Sequence, residues 1–97
     1  MACTVILEVK ANPGTGNDLL ATFKEILPDT RGYDGCLGVD TYQNQDDADV
    51  IVLVEQWESK AHYETYLGWR QETGALESLG AAVAGPPSIR YFNATDA

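Results

Sequence analysis

Val50, Ile51, Val52, Leu53 and Val54 follow one another without a polar interruption, and no other feature narrows the fold as much. Side chains of a strand alternate between the two faces of a sheet. A strand with one wet face therefore alternates apolar and polar residues, whereas an unbroken apolar run marks burial on both faces. The chain has 97 residues, enough for one domain with one core, and its helices can cover only one face of a sheet. The other face needs a second cover, and two copies packed sheet to sheet supply it.

The segments around this run give the order of elements. Residues 4–11 (TVILEVKA) are rich in apolar and β-branched types and stop at Asn12-Pro13-Gly14, which predicts a first strand. Thr15 or Asn17 can cap a helix on which Leu19, Leu20, Phe23, Ile26 and Leu27 share one arc, and Pro28 is expected to kink or end it near the sequence PDTRGYDG, with a short helical continuation left open. Residues 36–45 and 48–57 read as a hairpin around Asp46, Asp47 and Asp49, a turn expected to be solvated. Ser59 is the expected cap of a second helix reaching about Gln71, followed by a shorter helix through Leu76, Leu79, Ala82 and Val83. Gly85-Pro86-Pro87 ends the helices, residues 88–93 form the last strand, and 94–97 are expected to fray. The result is one α+β domain over 1–97 of the ferredoxin-like kind, β-α-β-β-α-(α)-β, with a four-stranded antiparallel sheet and its helices on one face.

Charge and cysteines exclude several functions. Six Lys and Arg against fifteen Asp and Glu leave a net charge of −9, the wrong sign for a phosphate backbone or an anionic membrane. Nucleic acid and membrane are not expected partners. Two cysteines outside a C-x-x-C pair and a single histidine do not make a zinc site. Without an apparent leader or an apolar run of about 18 residues, a cytoplasmic location is expected.

The second helix marks the place for chemistry. Within an arc of about 160° on a 3.6-residue turn it gathers Trp69, His62, Tyr66, Arg70, Tyr63 and Leu67. Buried hydroxyl, imidazole and guanidinium groups cost free energy unless bonded, so aromatics with polar tips point to a pocket for a flat ligand. Tyr66 and Leu67 also suit core or rim, Trp69 a dimer edge, and Arg70 an ion pair with Glu55 or Glu72. Trp57, on the strand before this helix, projects under it with an indole N–H that needs a partner. His62, the one side chain titrating near neutrality when unperturbed, is the candidate base if its ring turns inward, and no serine or cysteine partner for it is evident. Asn12 can supply an amide from the end of the first strand.

With the stretches RGYDGCLGVDTYQN, VLVEQWESKAHYETYL and GWRQETG, the chain resembles the antibiotic-biosynthesis monooxygenase family of dimeric α/β-barrel proteins. The likeness covers nearly all of it and is strongest at Gly35-Cys36 and Trp57-Glu58-Ser59. It implies a homodimer of two sheets forming a shared barrel, with a pocket in each subunit between sheet and helices. It further implies oxygenation of an aromatic polyketide, anthrone or quinol by molecular oxygen without metal, flavin or haem, with Trp57 and Tyr63 lining the pocket. Those oxygenases carry an asparagine where this chain has Leu53, and a related haem-degrading branch uses residues for which Glu77 and Leu7 stand here. The expected set is therefore Trp57, Tyr63 and His62 for catalysis, with Tyr66, Arg70, Trp69 and Asn12 binding substrate. The alternative is a ligand-binding dimer, or an isomerase or cyclase, on the same scaffold.

Overall fold

The computed structural model describes residues 2–97, so Met1 of the expected domain lies outside the described residues. Along the chain run β1 (Cys3–Lys10), α1 (Gly16–Arg31), β2 (Cys36–Gln43), β3 (Val50–Trp57), α2 (Lys60–Glu72), α3 (Ala75–Ala82) and β4 (Ser88–Phe92). The strands pair antiparallel in the order β2-β3-β1-β4. Each of the two β-α-β crossovers thus straddles another strand, which gives the α+β, ferredoxin-like arrangement the sequence predicts.

Burial of the central strand is one-sided within a single chain. Ile51, Leu53, Glu55 and Trp57 face the helices and are all but inaccessible, while Val50, Val52 and Val54 on the outer face are half-buried. Register places Ile6 and Tyr42 on that outer face beside them, with Phe92 further along. Beneath the helices the core has two parts. Leu7, Val9, Leu19, Phe23, Leu27, Ile51 and Leu53 form an aliphatic half, and Cys3, Val5, Trp57, Tyr63 and Tyr66 an aromatic half.

α1 runs through Pro28 to Arg31, the short continuation that the sequence leaves open. Proline forfeits one bond to the preceding turn, and side-chain bonds hold the turn beyond it. Thr30 Oγ1 lies 2.7 Å from the Tyr66 hydroxyl, and an Arg31 guanidinium N–H donates to the Val39 carbonyl at 3.1 Å. The hairpin strands are shorter than predicted. Asn44 Oδ1 accepts the backbone N–H groups of Asp46 and Asp47, turning the chain after Gln43.

Asp49 is not merely part of a solvated turn. Its carboxylate accepts the N–H groups of Gly14 and Gly16 at 3.0 and 2.9 Å and so caps α1 from another element. Neither Thr15 nor Asn17 does so; Thr15 bonds the Asn12 carbonyl instead. Gly16 is required by the approach, since a Cβ there would collide with the Ala48 carbonyl. Loss of a carboxylate cap costs about 1–2 kcal/mol, so Asp49→Ala is expected to lower the unfolding free energy by that amount in urea titration. Asp46→Ala, whose carboxylate caps nothing, is expected to change it by less than about 0.5 kcal/mol.

Candidate functional site

Strand alternation from Ile51 puts a carboxylate where the pattern calls for an apolar side chain. Glu55 sits between Leu53 and Trp57 on the inner face, 2% exposed. The Trp57 indole N–H donates to Glu55 Oε1 at 3.0 Å. That is the only side-chain hydrogen bond to this carboxylate among the described residues. Removal from water penalises the charged form, and burial pushes the Glu55 carboxyl from its ordinary 4.5 up to about 7, with the Trp57 bond opposing the rise.

Glu55 opens onto a cavity of about 50 Å³ between sheet and helices, where the two halves of the core meet. Its floor is Leu7 and Leu53, α1 contributes Phe23 and Ile26, and α2 contributes Tyr63, Tyr66 and Arg70. Ala75, Leu76 and Leu79 of α3 close it. Phe23, Ile26, Ala75 and Leu79 also line an apolar groove of about 400 Å³ between α1 and α3, on the other side of the same residues. α3 contributes no fully buried residue. Gly74, at a φ of +79° open to glycine, joins it to α2.

The predicted residues fall into three places. Tyr63, Tyr66 and Arg70 line the cavity. Tyr63 is 1% exposed, its hydroxyl makes no hydrogen bond among the described residues, and burial raises its pKa well above the ordinary phenol value. Trp57 lies behind the cavity, fully buried, with ring centroids 5.4 Å from Tyr63 and 4.9 Å from Tyr66. Its indole N–H is committed to Glu55.

Arg70 pairs with neither Glu55 nor Glu72. Its guanidinium donates to the Tyr66 hydroxyl at 2.9 Å, to Thr30 Oγ1 at 2.8 Å and to the Ile26 carbonyl at 2.9 Å, tying α2 to the last turns of α1.

His62, Trp69 and Asn12 lie elsewhere. The His62 ring turns away from the cavity into a surface cleft with Tyr33 and Asp34. Its Nδ1 is 2.6 Å from Ser59 Oγ and its Nε2 3.6 Å from Glu58. A serine partner therefore exists, contrary to the expectation, but Ser59 Oγ already accepts the His62 N–H as the cap of α2. Gly35 fits under this ring only because it lacks a Cβ, and its φ of +89° also favours glycine. Trp69 stacks on Tyr33 at 5.1 Å. Asn12 clamps the end of α3, its Nδ2 donating to the Ala81 carbonyl at 3.0 Å.

Glu55 is the residue that sequence reading passed over as a site. Its signal was present: in VIVLVEQW it is the one charged residue sharing the parity of Ile51, Leu53 and Trp57, and a charge at an inward position needs a reason.

Comparison with known proteins gives one consistent result. A family model described as antibiotic biosynthesis monooxygenase matches residues 2–72. The curated Probable quinol monooxygenase YgiN of Escherichia coli strain K12 is 34% identical over 93 residues, covering 84% of this chain and 85% of that protein. A solved structure of an antibiotic biosynthesis monooxygenase superposes with a TM-score of 0.83 at 20% identity, over 96% of this chain and 98% of that one. Rv0793 from Mycobacterium tuberculosis gives 0.84 at 22% identity over 100% and 98%. Likeness at such identities carries the fold.

Proposed function

The chain belongs to the antibiotic biosynthesis monooxygenase family, and we propose that it oxygenates a hydroxylated aromatic, a quinol, phenol or anthrone, bound at the Glu55 cavity. One observation carries this: an apolar, aromatic-walled cavity whose wall includes Glu55, the one carboxylate-bearing residue there, and Tyr63. That lining suits a flat molecule with a hydroxyl at one end. The cavity is smaller than the roughly 300–1,000 Å³ of sites that take organic ligands, so entry requires α3 to swing outward. Its near end, beginning at Gly74, is anchored by no fully buried residue, while Asn12 holds the far end.

An electron-rich aromatic can reduce oxygen itself once it has lost a proton. The anion passes one electron to molecular oxygen, and the radical and superoxide combine to a peroxide. For an anthrone, loss of water then leaves a ketone, so one oxygen atom enters the product and the other leaves as water. The chain's tasks are to exclude water, orient the ring and stabilise the oxyanion, for which the Tyr63 hydroxyl is the available donor. In this scheme the reaction needs no metal, flavin or haem. Tyr66 and Arg70 act as wall, Trp57 as the support of Glu55, and His62, Trp69 and Asn12 take no part.

The test is oxygen uptake by protein stripped of metals and flavin, with 1,8-dihydroxyanthrone and 1,4-naphthohydroquinone as substrates. Uptake well above the spontaneous rate, with about one oxygen consumed per anthrone, is the expected result. Uptake at the background rate with both would favour the alternative of a ligand-binding dimer, or an isomerase or cyclase, on the same scaffold. Leu53 in place of the oxygenase asparagine is the observation on that side, because a carboxyl and a phenol suffice to move a proton.

We further propose that the outer faces of two sheets pack together as a homodimer. Val50, Val52, Val54, Ile6, Tyr42 and Phe92 are aligned there, and a contiguous apolar stripe on a sheet face is what a sheet-to-sheet interface would cover. A carboxylate buried in such an interface is prohibitive, so Val52→Asp is expected to convert a dimer at micromolar concentration to a folded monomer in sedimentation. A wild type that sediments as a monomer would contradict the assignment.

A further inference from the structure

We propose that Glu55 is the catalytic residue that accepts the hydroxyl proton of the bound aromatic, a role that rests on the oxygenase reading above. The geometry comes first. Glu55 is the one carboxylate in the cavity wall. The Trp57 indole N–H fixes its orientation through Oε1, leaving Oε2 with no protein donor among the described residues. The proposed pose sets the substrate hydroxyl between that free oxygen and the Tyr63 hydroxyl, both residues being part of the cavity wall.

The surrounding groups leave Glu55 as the titrating one. From β2 the Cys36 thiol approaches, its pKa raised chiefly by burial, and from α2 Tyr63 is raised in the same way; both stay neutral near pH 7. Tyr66 is engaged by Arg70 and Thr30, and Arg70 spends its N–H groups on Tyr66, Thr30 and Ile26 rather than on Glu55. The neighbours from β1, α1 and α3 are apolar. A base works best when its pKa lies near the working pH, and burial has moved Glu55 to about 7. In the step itself the substrate O–H bond breaks, the proton goes to Oε2 and the electron pair stays on the substrate oxygen. Tyr63 donates a hydrogen bond to that oxygen, and molecular oxygen is the later electron acceptor.

Two readouts test this, one independent of turnover. Glu55→Gln keeps an acceptor for the Trp57 N–H. It is expected to lower kcat/KM for 1,4-naphthohydroquinone by about a hundredfold and to abolish an acid limb near pH 7. Binding of 1-naphthol is expected to tighten about tenfold as Glu55 ionises in the wild type, and to be flat with pH in Glu55→Gln; 1-methoxynaphthalene, lacking the proton, is expected not to tighten in either protein. If the wild type takes up no oxygen, the oxygenase assignment falls, and the naphthol titration still decides whether Glu55 receives a hydroxyl. Glu55→Gln with kcat/KM within threefold of wild type, or naphthol binding with the same pH dependence in both proteins, would overturn the proposal.

Discussion

Glu55→Gln is expected to remove a pH dependence of folding stability worth about 3 kcal/mol. The carboxyl titrates at 4.5 ordinarily and at about 7 in the folded chain, so the folded state holds its proton more tightly than the unfolded state does. The stabilisation this represents is present in full below the unfolded value, is lost progressively as pH rises, and is gone once pH passes the folded value. At about 1.4 kcal/mol per pH unit, the interval corresponds to the figure above. Urea titrations of wild type at about pH 4 and about pH 8 would show the loss, and Glu55→Gln would show none of it. A wild-type stability that rises between those pH values by the difference seen in the variant would mean that Glu55 is ionised without penalty. The cavity would then be wetter than the structure describes.

Arg70→Met is expected to be the most destabilising single replacement near the site, by about 3–5 kcal/mol. Arg70 is 6% exposed and makes three hydrogen bonds, one to Tyr66 within α2 and two, to Thr30 and Ile26, that join α2 to α1. Methionine fills much of the volume but leaves Tyr66 and Thr30 hydroxyls buried with one partner fewer each. Arg70→Lys is expected to recover less than half of the loss, because one ammonium cannot reproduce the planar fork that meets Tyr66, Thr30 and the Ile26 carbonyl together. Chemical denaturation measures both. Equal stability of Arg70→Met and wild type would show that the guanidinium is held for a ligand and not for the fold.

Arg70 and Asp49 show where sequence pattern stops being informative. Element order followed from features local in the chain: the apolar run of β3, the arc of α1, the Ser59 cap and the Gly85-Pro86-Pro87 stop. Each depends on neighbours within a few positions, which sequence displays directly. Asp49 capping α1 and Arg70 binding the Ile26 carbonyl span 33 and 44 positions, and such pairings exist only after the elements have packed. How far α1 continues past Pro28 is set in the same way, since the bonds that hold that turn come from β2 and α2.

For the site, helical spacing correctly grouped Tyr63, Tyr66 and Arg70, because 100° steps fix which residues share a face. It also grouped His62 and Trp69 with them. Those two lie at the margin of the arc, where the ring stacking of Trp69 on Tyr33 and the bond of His62 to Ser59 decide direction. Glu55 was legible by parity alone. A charged residue in step with Ile51, Leu53 and Trp57 cannot reach water on that face, and that mismatch marks the cavity more sharply than the aromatics do.

Which of two places takes the ligand is settled most directly by the indole N–H resonances, because the chain has two tryptophans, one behind the cavity and one on the surface. In a titration of isotopically labelled protein with 1-naphthol, the Trp57 indole N–H, bonded to Glu55, is expected to shift strongly together with the Tyr63 signals. The Trp69 indole and the His62 ring are expected to stay in place. Shifts of Trp69 and His62 with an unmoved Trp57 would contradict the assignment and put the binding site in the surface cleft beside Tyr33.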